Sequence, residues 1–557
     1  MVRWRIVLLS VLALPVLALP APLSAATSPP PASVDSAVQV TTDMAASRAH
    51  TVPAVAVDPR NDNTLAIAEA DAYSGQCAVH ISTNAGLSWS LASTPTVPAK
   101  YSSCAFVPFG PVVDVAFGPD GTLYYALGGF DPIDKVGRIF LARSSDLGAT
   151  WETATLPTIA KNLDKGETGV DGVPSIAVDP QDPKRVYVGW GSNWATYTLN
   201  SEVLQGKLYY WDVIERVYVA SSSDGGRTFG DPVNVGDGLR MSPAAEGVKP
   251  PPQVIAGNNG EVFALFGEYS RAGTRDDRTG LAPPAHIYLA TSHDNGKTFA
   301  NQTIYTQPTP TMTSDWTWVP RGGIDRRNGN LYVAWEQMSA SGNPVQISLI
   351  RSTDGGKTWS APTKVNDAVP QRQWNYPEEY PSMSVAPNGR VDVAWYDYRN
   401  DPTYVAGAKV NNFQDVYYTY STDGGQTWAP NIKLTDRLID RRFGPSTQGG
   451  IRGPVGVASR NGAAYVAWDD SRNGNATNAT QDIYFTRARL ESPSHIFSAS
   501  GGTSRAAWAL LGAAIGVVAC GLAMAIGFSA RGTGGSAASA GEAARVTRTA
   551  GDQTKPV

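Results

Sequence analysis

The sequence predicts an all-β protein built from repeated four-stranded units, and three observations lead to this prediction. The pattern Ser-x-Asp-x-Gly-x-Thr-aromatic recurs six times, once in a weaker form, at intervals of 60 to 78 residues. A second unit, in which proline leads a strand, a turn and a Tyr/Val/Ala/Trp-rich strand, recurs seven times. The 557 residues include 55 Gly, 40 Pro, 23 Tyr and 15 Trp, a mixture typical of turn-rich β proteins. Repeats of this length indicate a repeat architecture.

The first pattern, which we refer to as the Asp box, has the composition of a hairpin turn. In Ser352–Trp359 the Asp side chain can accept hydrogen bonds from N–H groups of its own turn, and the Gly permits a conformation that a Cβ hinders. The weaker copy, Ser82–Trp89, has Asn84 in place of Asp. We therefore expect a structural role, rather than a catalytic one, for the five Asp-box carboxylates, Asp146, Asp224, Asp294, Asp354 and Asp423.

The seven proline-led units supply the other strands of each repeat. Proline lacks the N–H that a sheet ladder requires, so it is tolerated at an edge or at the first residue of a strand. This predicts that the proline-led strand is the innermost one. With one strand entering and one leaving each Asp box, every unit has four antiparallel strands, which is a propeller blade. The units begin at Pro53, Pro111, Pro174, Pro252, Pro320, Pro381 and Pro454.

The seventh unit has a third strand, at 482–489, but no Asp box and no fourth strand. The lone strand Ser36–Thr42 can supply it, which would close the ring and hide an exposed strand edge. We therefore predict a seven-bladed β-propeller of four-stranded antiparallel blades over residues 36–491.

Segments outside the propeller predict export and anchoring. Arg3 and Arg5 precede a short apolar run and a small-residue cleavage site, so residues 1–26 are predicted to be a signal peptide, with a retained anchor as the alternative. Residues 27–35 and 492–505 are linkers. Residues 506–528 carry no charge and are long enough to span a bilayer, with a buried core helix as the alternative, and basic residues in the tail 529–557 favour a cytoplasmic C-terminus. We expect a single-pass cell-membrane protein with an extracellular body.

Composition also limits the partners and cofactors. A net charge of −4 provides no electrostatic footprint for nucleic acid. Cys77 and Cys104 are close in sequence in the exported body and are predicted to form a disulfide, with two separate thiols as the alternative. The five histidines lack zinc-ligand spacing, and the carboxylate-rich loops, although of a kind that can hold Ca²⁺, match no calcium motif. We expect no metal and no cofactor.

The strand order places the Asp boxes on one face of the propeller and long, irregular loops on the other. We name the second face the long-loop face, and function is expected there. Its loops are rich in groups that suit a sugar: carboxylates can act as acid, base or nucleophile, Arg can clamp a carboxylate, and Trp and Tyr can stack on sugar rings. A solvated, salt-bridged surface is the alternative. The longest loops are 160–173, 192–215, 268–285, 396–414, 436–452 and 469–481.

Two neighbouring units carry near-copies of one loop sequence, Trp395–Asn400 and Trp468–Asn473. Each places an Asp two residues before an Arg, as in Asp397 and Arg399. The repetition favours a structural ion pair over a catalytic role, although both interpretations remain open.

The Asp boxes resemble the bacterial neuraminidase repeats of the sialidase superfamily, and the resemblance covers residues 51–491. It implies a propeller of exo-glycosidase type, with six blades as the alternative count. It also implies an arginine triad for a substrate carboxylate, a Tyr–Glu nucleophile pair and an Asp acid/base. In the motif that carries the first arginine, Thr51 stands where Arg is expected.

The candidate catalytic residues are Asp71, as the acid/base, and Tyr380 and Glu268, as the nucleophile pair. The candidate substrate-binding residues are Arg321, Arg452, Arg399, Trp316 and Trp374. The expected function is a monomeric, surface-anchored propeller that binds and hydrolyses glycans or glycoconjugates. The alternative is a non-catalytic propeller that interacts with envelope proteins.

Overall fold

The protein is all-β in the part of the chain that the structure covers. The computed structural model describes residues 32–43, 45, 47–104, 113–131, 133–134, 136–158, 167–196, 203–204, 207–208, 213–236, 252–268, 286–306, 320–337, 346–367, 380–403, 412–443, 454–475 and 477–490. Within these ranges we find no helix, and hence none with the length and hydropathy to cross a membrane. The predicted signal peptide (1–26) and membrane span (506–528) lie outside the described residues.

Consecutive antiparallel pairing arranges most of the described strands in seven successive units, which we number 1 to 7. From the innermost strand outwards, the strands are Arg48–Val57, Leu65–Asp71, Gln76–Ser82 and Ser90–Leu91 in unit 1; Val113–Phe117, Leu123–Asp131, Val136–Ser144 and Glu152–Thr155 in unit 2; Glu167–Val178, Val186–Thr196, Val213–Ser222 and Val233–Asn234 in unit 3; Gln253–Ala256, Val262–Glu268, His286–Ser292 and Ala300–Thr306 in unit 4; Arg321–Asp325, Asn330–Gln337, Gln346–Ser352 and Thr363–Lys364 in unit 5; Ser382–Val385, Val391–Asp397, Phe413–Ser421 and Ile432–Lys433 in unit 6; and Gly456–Arg460, Ala463–Asp470 and Thr480–Arg489 in unit 7. Further short strands are Ser33–Val34, Val38–Gln39, Ser102–Ser103, Val203–Leu204, Lys207–Leu208 and Ile439–Asp440.

The innermost strands contact one another in chain order around a common axis. Each innermost strand contacts that of the next unit, and Gly456–Arg460 of unit 7 contacts Arg48–Val57 of unit 1. Antiparallel four-stranded units arranged in this way form a β-propeller.

The N-terminal segment provides the outer strands of unit 7. Ser33 pairs with Arg489 and Val38 with Phe485, both antiparallel. The strand predicted at 36–42 is therefore shorter than expected, Val38–Gln39, but it lies beside the third strand of unit 7. The Thr41 hydroxyl, which donates to Asp482 over 3.1 Å, extends the attachment.

Two of the innermost strands are longer than the proline pattern predicts. Arg48–Val57 and Glu167–Val178 begin several residues before their prolines, so the expected loop 160–173 is partly strand. In both strands the register shifts at the proline, between Thr51 and Ala54 in unit 1 and between Gly172 and Ser175 in unit 3. The placement of proline at the first strand residue is thus wrong for these units, because an irregularity in the ladder also accommodates a missing N–H.

The hydrophobic core lies between neighbouring units. The second strands are buried along most of their length, and four of them carry a fully buried tryptophan: Trp190, Trp335, Trp395 and Trp468. Buried side chains of successive units belong to common clusters, such as the one that includes Ala66 of unit 1 and Tyr125 of unit 2. Each unit therefore depends on its neighbours for burial.

The Asp boxes form the turns between the third and outer strands of units 1 to 6. In Ser352–Trp359 the Asp354 carboxylate accepts hydrogen bonds from the Ser352 hydroxyl over 2.7 Å and from the Thr358 N–H over 2.9 Å. The Gly356 N–H donates to the Ser352 hydroxyl oxygen over 2.8 Å, and Gly356 has φ 91°. The other complete boxes repeat this bonding, which uses the carboxylate to hold its own turn.

Acid is expected to weaken the Asp boxes. Hydrogen bonds from the Thr150 hydroxyl and N–H lower the pKa of Asp146 to about 2. Because an unfolded Asp has a pKa of about 3.9, this contribution to stability is present above pH 4 and is lost as the pH falls towards 2. Asp146→Asn is expected to reduce the pH dependence of the urea midpoint in this window.

Asparagine is compatible with the turn, since Asn84 accepts from the Ser88 N–H over 3.0 Å in unit 1. An Asp146→Asn variant with the same acid dependence as the parent protein would contradict the prediction.

The predicted disulfide is confirmed. Cys77 and Cys104 are bonded, with a Cα–Cα distance of 5.5 Å and a sequence separation of 27. The bond ties the third strand of unit 1 to the segment that leads to unit 2. Replacing both residues by alanine is expected to reduce the free energy of unfolding by about 3 kcal/mol, measured by urea denaturation, because the unfolded chain gains freedom. Chemical reduction of the disulfide should lower the stability of the parent protein by the same amount and leave that of the double variant unchanged. A reduced parent protein as stable as the oxidised one would contradict the prediction.

Candidate ligand site on the long-loop face

The candidate site lies where the innermost strands begin and the second strands end, at the face opposite the Asp boxes. Chain direction fixes this arrangement, because the first residues of one strand and the last residues of its antiparallel neighbour share an edge. Arg321 begins the innermost strand of unit 5, and Tyr380 precedes that of unit 6. Asp71 ends the second strand of unit 1.

Tyr380 has a strained backbone. Its φ is 36°, and the residue that follows is Pro381. Val52 and Val173 precede the prolines of units 1 and 3 in the same way, and both have φ 55°. Positive φ costs free energy in a residue with a Cβ and persists only where the surrounding structure enforces it. The fold therefore holds Tyr380 in a conformation that the isolated segment would avoid.

The Tyr380 phenol lies among charged groups from three parts of the chain. Burial raises the pKa of Tyr380 well above its ordinary value, the carboxylates of Glu336 and Asp469 raise it further, and the Arg441 guanidinium opposes them. Glu336 is 1% exposed, on the second strand of unit 5. The phenol is thus neutral at neutral pH, so it can act as a nucleophile only if a base removes its proton.

Asp469 is the centre of a buried hydrogen-bond network that joins units 6, 7 and 1. Its Oδ1 accepts from Arg441 over 2.8 Å and from the Tyr396 hydroxyl over 2.7 Å. Its Oδ2 accepts from the Thr51 hydroxyl over 2.9 Å and from the Gln481 amide over 3.2 Å. All five residues are buried. Thr51, at the position of the expected arginine, therefore binds a carboxylate of the protein itself.

Arg321 lies near the axis, with Asp114 of unit 2 as its electrostatic partner. Burial lowers the pKa of Arg321 to about 10, and the Asp114 carboxylate opposes this shift. Among the described residues, none accepts a hydrogen bond from its guanidinium. The residue as a whole is half-buried.

Asp71 caps a tight turn at the edge of unit 1. Its Oδ1 accepts from the Ala49 N–H over 2.8 Å and from the Tyr73 N–H over 3.0 Å. Next to it, His50 contacts Glu69 over 2.8 Å. Although burial lowers the pKa of His50, the carboxylates of Glu69 and Asp43 raise it to about 9, so the imidazole is charged at neutral pH.

Arg399 forms an ion pair with Asp397, which is the role that the repetition of this loop sequence in units 6 and 7 favours. Its guanidinium contacts Asp397 over 2.7 Å and Asp367 over 2.7 Å, and lies 4.0 Å from the centre of the Tyr417 ring. The equivalent Arg472 contacts Asp470 over 2.7 Å. The Arg399 guanidinium is thus engaged by protein groups at the outer part of unit 6, and no described contact joins it to Tyr380.

Some candidates cannot be placed. Arg452, Trp316 and Trp374 lie outside the described residues, and of Glu268 only the backbone, at the end of a strand of unit 4, is described. Among the described residues no group of three or more His, Cys, Asp or Glu has the arrangement of a metal site.

Sequence reasoning counted Glu336 and Arg441 among the polar groups of the long loops but assigned neither of them, nor Asp469, to the site. A signal exists for Glu336 and Asp469, since Glu336, Tyr396 and Asp469 each follow the tryptophan of a second strand. Alignment of the repeats would have shown that the residue after this tryptophan is polar in units 5, 6 and 7, at the strand end nearest the long-loop face. Arg441 follows a short strand, Ile439–Asp440, and no local pattern singles it out.

Comparisons with known proteins agree with this architecture. The sequence model of the BNR/Asp-box repeat family matches residues 350–361 and 419–430. A sialidase from Micromonospora viridifaciens is 28% identical over 222 residues, which cover 38% of this chain and 30% of the sialidase. The match therefore spans less than a third of that relative's length.

Two solved structures are similar over most of the chain. The Hadza microbial sialidase Hz136 has 16% identity and a TM-score of 0.39, over 79% of this chain and 66% of that one. An α-L-arabinofuranosidase from Fusarium graminearum has 12% identity and a TM-score of 0.43, over 70% of this chain and 98% of that one. At TM-scores below 0.5 these similarities say nothing about the site.

Complete Asp boxes, with the hydrogen bonds described above, in consecutive four-stranded antiparallel units define an Asp-box β-propeller. Together with the repeat-family match and the similarity to a sialidase sequence, they support a relationship to the sialidase superfamily.

Proposed function

We propose that the protein binds glycans on its long-loop face and hydrolyses a terminal glycosidic bond. The observation that supports this most is the electrostatic influence of the buried Glu336 carboxylate on the Tyr380 phenol, which is held at a strained backbone position. A neutral phenol next to a buried carboxylate has the components of an activated nucleophile. Tyrosine replaces a carboxylate as the nucleophile in sialidases.

The proposed reaction has two displacements. Glu336 takes the phenol proton while the Tyr380 oxygen attacks the anomeric carbon, and Asp71 protonates the departing glycosidic oxygen. Asp71 then takes a proton from water, the water attacks the anomeric carbon, and the bond to Tyr380 breaks as Glu336 returns its proton to the phenol oxygen. Two displacements retain the anomeric configuration. In this proposal Glu336 replaces Glu268 as the partner of Tyr380, and Arg321, Arg452, Trp316 and Trp374 contact the substrate.

The test is an assay of the protein against fluorogenic glycosides, including a sialoside and an arabinofuranoside. Release of the fluorophore with retained configuration is expected for at least one of them. If no glycoside is hydrolysed but the protein binds glycans on an array, the function is glycan binding and the hydrolase proposal is wrong.

A non-catalytic propeller is the second candidate, and one observation favours it. Thr51 and Arg441 are both bound to Asp469, so neither is available to a substrate carboxylate in this arrangement. The function would then be binding of glycans or of envelope proteins. If the parent protein hydrolyses no glycoside and the Tyr380→Phe variant still binds the glycan or envelope protein, the propeller is non-catalytic.

We also propose a seven-bladed ring that is exported and anchored at the cell membrane as a monomer. The succession of inner-strand contacts from unit 1 to unit 7 and back supports the blade count. Residues 1–26 and 506–528 provide the signal and the span in this proposal. Cell fractionation and protease treatment of intact cells test it, because an anchored outer body is removed by protease whereas a cytoplasmic protein is protected.

A further inference from the structure

The hairpin that joins the second and third strands begins in the same way in units 1, 2, 6 and 7. In each of them the last residue of the second strand is an aspartate, whose Oδ1 accepts a hydrogen bond from the N–H two residues further on. The donor–acceptor distances are 3.0, 2.9, 2.8 and 2.9 Å in that order of units. The pairs of aspartate and donor are Asp71 and Tyr73, Asp131 and Ile133, Asp397 and Arg399, and Asp470 and Arg472.

The side chain of the donor residue folds back onto its own unit in units 6 and 7 and is exposed in units 1 and 2. Arg399 and Arg472 contact the aspartate of their own hairpin over 2.7 Å, and each guanidinium lies 4.0 Å from the centre of a tyrosine ring. By contrast, Tyr73 is 49% exposed and Ile133 is 88% exposed. They are two of the four exposed large apolar side chains among the described residues, and both lie on the long-loop face. We name these two side chains the unit 1–2 rim.

The presence of Tyr73 at this position leaves Asp71 without a cation. The aspartates of units 2, 6 and 7 each have a cation within 3.3 Å, which is Lys100 in unit 2. Both hydrogen bonds described for Asp71 go to Oδ1, and within the described ranges no cation lies within ion-pair distance of its Oδ2. The Oδ2 atom is therefore not neutralised by the protein, on the hairpin that also carries the exposed ring.

The disulfide ties the two hairpins of the unit 1–2 rim together. Cys77 lies beside the unit 1 hairpin, where it pairs with Ala70. Cys104, its disulfide partner, donates its N–H to the Gly128 carbonyl over 2.9 Å, on the strand that leads to Ile133. The two exposed side chains are therefore carried by backbone that is covalently linked across the boundary between units 1 and 2.

We propose that the unit 1–2 rim holds the leaving group of a glycoside, and that this group is apolar, such as an alkyl chain or an aryl ring. The inference rests on the proposed function, in which Asp71 protonates the departing glycosidic oxygen. The leaving group must then lie on the Asp71 side of the bond that breaks. Tyr73 and Ile133 determine specificity for this group and take no part in the chemical step.

An apolar leaving group accounts for both side chains of the rim, whereas a second sugar accounts for only one. A tyrosine ring can pack against the face of a sugar or against an alkyl chain. The side chain of Ile133 has no hydrogen-bonding group for hydroxyls, and its exposed surface gains free energy when apolar surface covers it. Lys100 contacts Asp131 over 3.3 Å and Asp134 over 3.5 Å, so its ammonium group is already paired. The rim therefore favours an uncharged, apolar group.

Calorimetric titration of the full chain with methyl and octyl glycosides tests the proposal and needs no turnover. The probes are the methyl and octyl glycosides of N-acetylneuraminic acid and of L-arabinofuranose, each below its micelle-forming concentration. The octyl glycoside of at least one sugar is expected to bind about tenfold more tightly than its methyl glycoside, which corresponds to the burial of about two methylene groups. For a glycoside that is hydrolysed, the ratio of kcat/KM is measured instead.

Variants assign this preference to the rim. The double variant Tyr73→Ser, Ile133→Ser is expected to bind the two glycosides equally, whereas Tyr73→Phe should keep the preference because the ring is retained. Both side chains are exposed, so these substitutions leave the core intact. Leu87→Ser is the matched control: Leu87 is 64% exposed on the Asp-box turn of unit 1, at the opposite face, and its variant should behave as the parent protein.

Three results would overturn the proposal: equal affinity of the parent protein for octyl and methyl glycosides, a preference that persists in the double variant, or a preference that is lost in Leu87→Ser. Binding or hydrolysis of the methyl glycosides without an octyl preference refutes this inference alone. An octyl preference without hydrolysis of any glycoside leaves the inference standing and refutes only the hydrolase proposal. If no probe binds, the inference also fails.

Discussion

Tyr380→Phe is expected to lower kcat/KM for the best fluorogenic glycoside by about 10³-fold or more, with little change in folding. The variant removes the attacking oxygen and keeps the ring, so packing at the start of unit 6 is retained. The phenol is neutral in the folded protein, because burial and the carboxylates of Glu336 and Asp469 raise its pKa. Loss of the hydroxyl therefore removes the nucleophile and leaves the charges of the site unchanged.

Two further variants make this result specific. Glu336→Gln is expected to reduce kcat by about 10²-fold, since the base that accepts the phenol proton is lost. Tyr465→Phe is the matched control: this tyrosine is buried and its hydroxyl donates to the Asp62 carbonyl over 3.2 Å, at the Asp-box face. Its activity should equal that of the parent protein. Hydrolysis by Tyr380→Phe within tenfold of the parent rate would exclude the phenol as nucleophile.

Gly456→Ala is expected to reduce the free energy of unfolding by about 1–3 kcal/mol, measured from the urea midpoint at constant m. A Cβ at Gly456 would lie 2.5 Å from the Pro53 carbonyl oxygen and 2.7 Å from a Val55 methyl group. The first contact is with backbone, which cannot rotate away as a flexible side chain can. Because Gly456 is in unit 7 and Pro53 in unit 1, the added methyl group would force apart the two innermost strands that complete the ring.

Gly462→Ala in the same unit is the matched control. A Cβ at Gly462 meets no atom within 4 Å, and its backbone is not in the left-handed region. This variant should be as stable as the parent protein, or slightly more so, because alanine restricts the unfolded chain. Equal midpoints for the two variants would show that the contact between units 7 and 1 relaxes without cost.

Much of the architecture follows from local sequence. In Ser352–Trp359 the hydrogen-bond donors and acceptors lie within four residues of one another, so the residue pattern alone specifies the turn. The Asp397–Arg399 ion pair is equally local, and repetition of its sequence in unit 7 made it recognisable. The placement of the 36–42 strand beside unit 7 followed from counting strands, since an unpaired edge was left over.

The sequence by itself determined the repeated unit, its turns and its strand order, because the turns are held by local hydrogen bonds and the strands recur in the same order in each unit. Only the tertiary structure decided which side chains share the site. Thr51 reaches Asp469 across 418 residues, and Tyr380 has Glu336 and Asp469 as neighbours because units 5, 6 and 7 converge on one axis. Local propensity carries no information about such convergence, since it depends on how the units pack against one another.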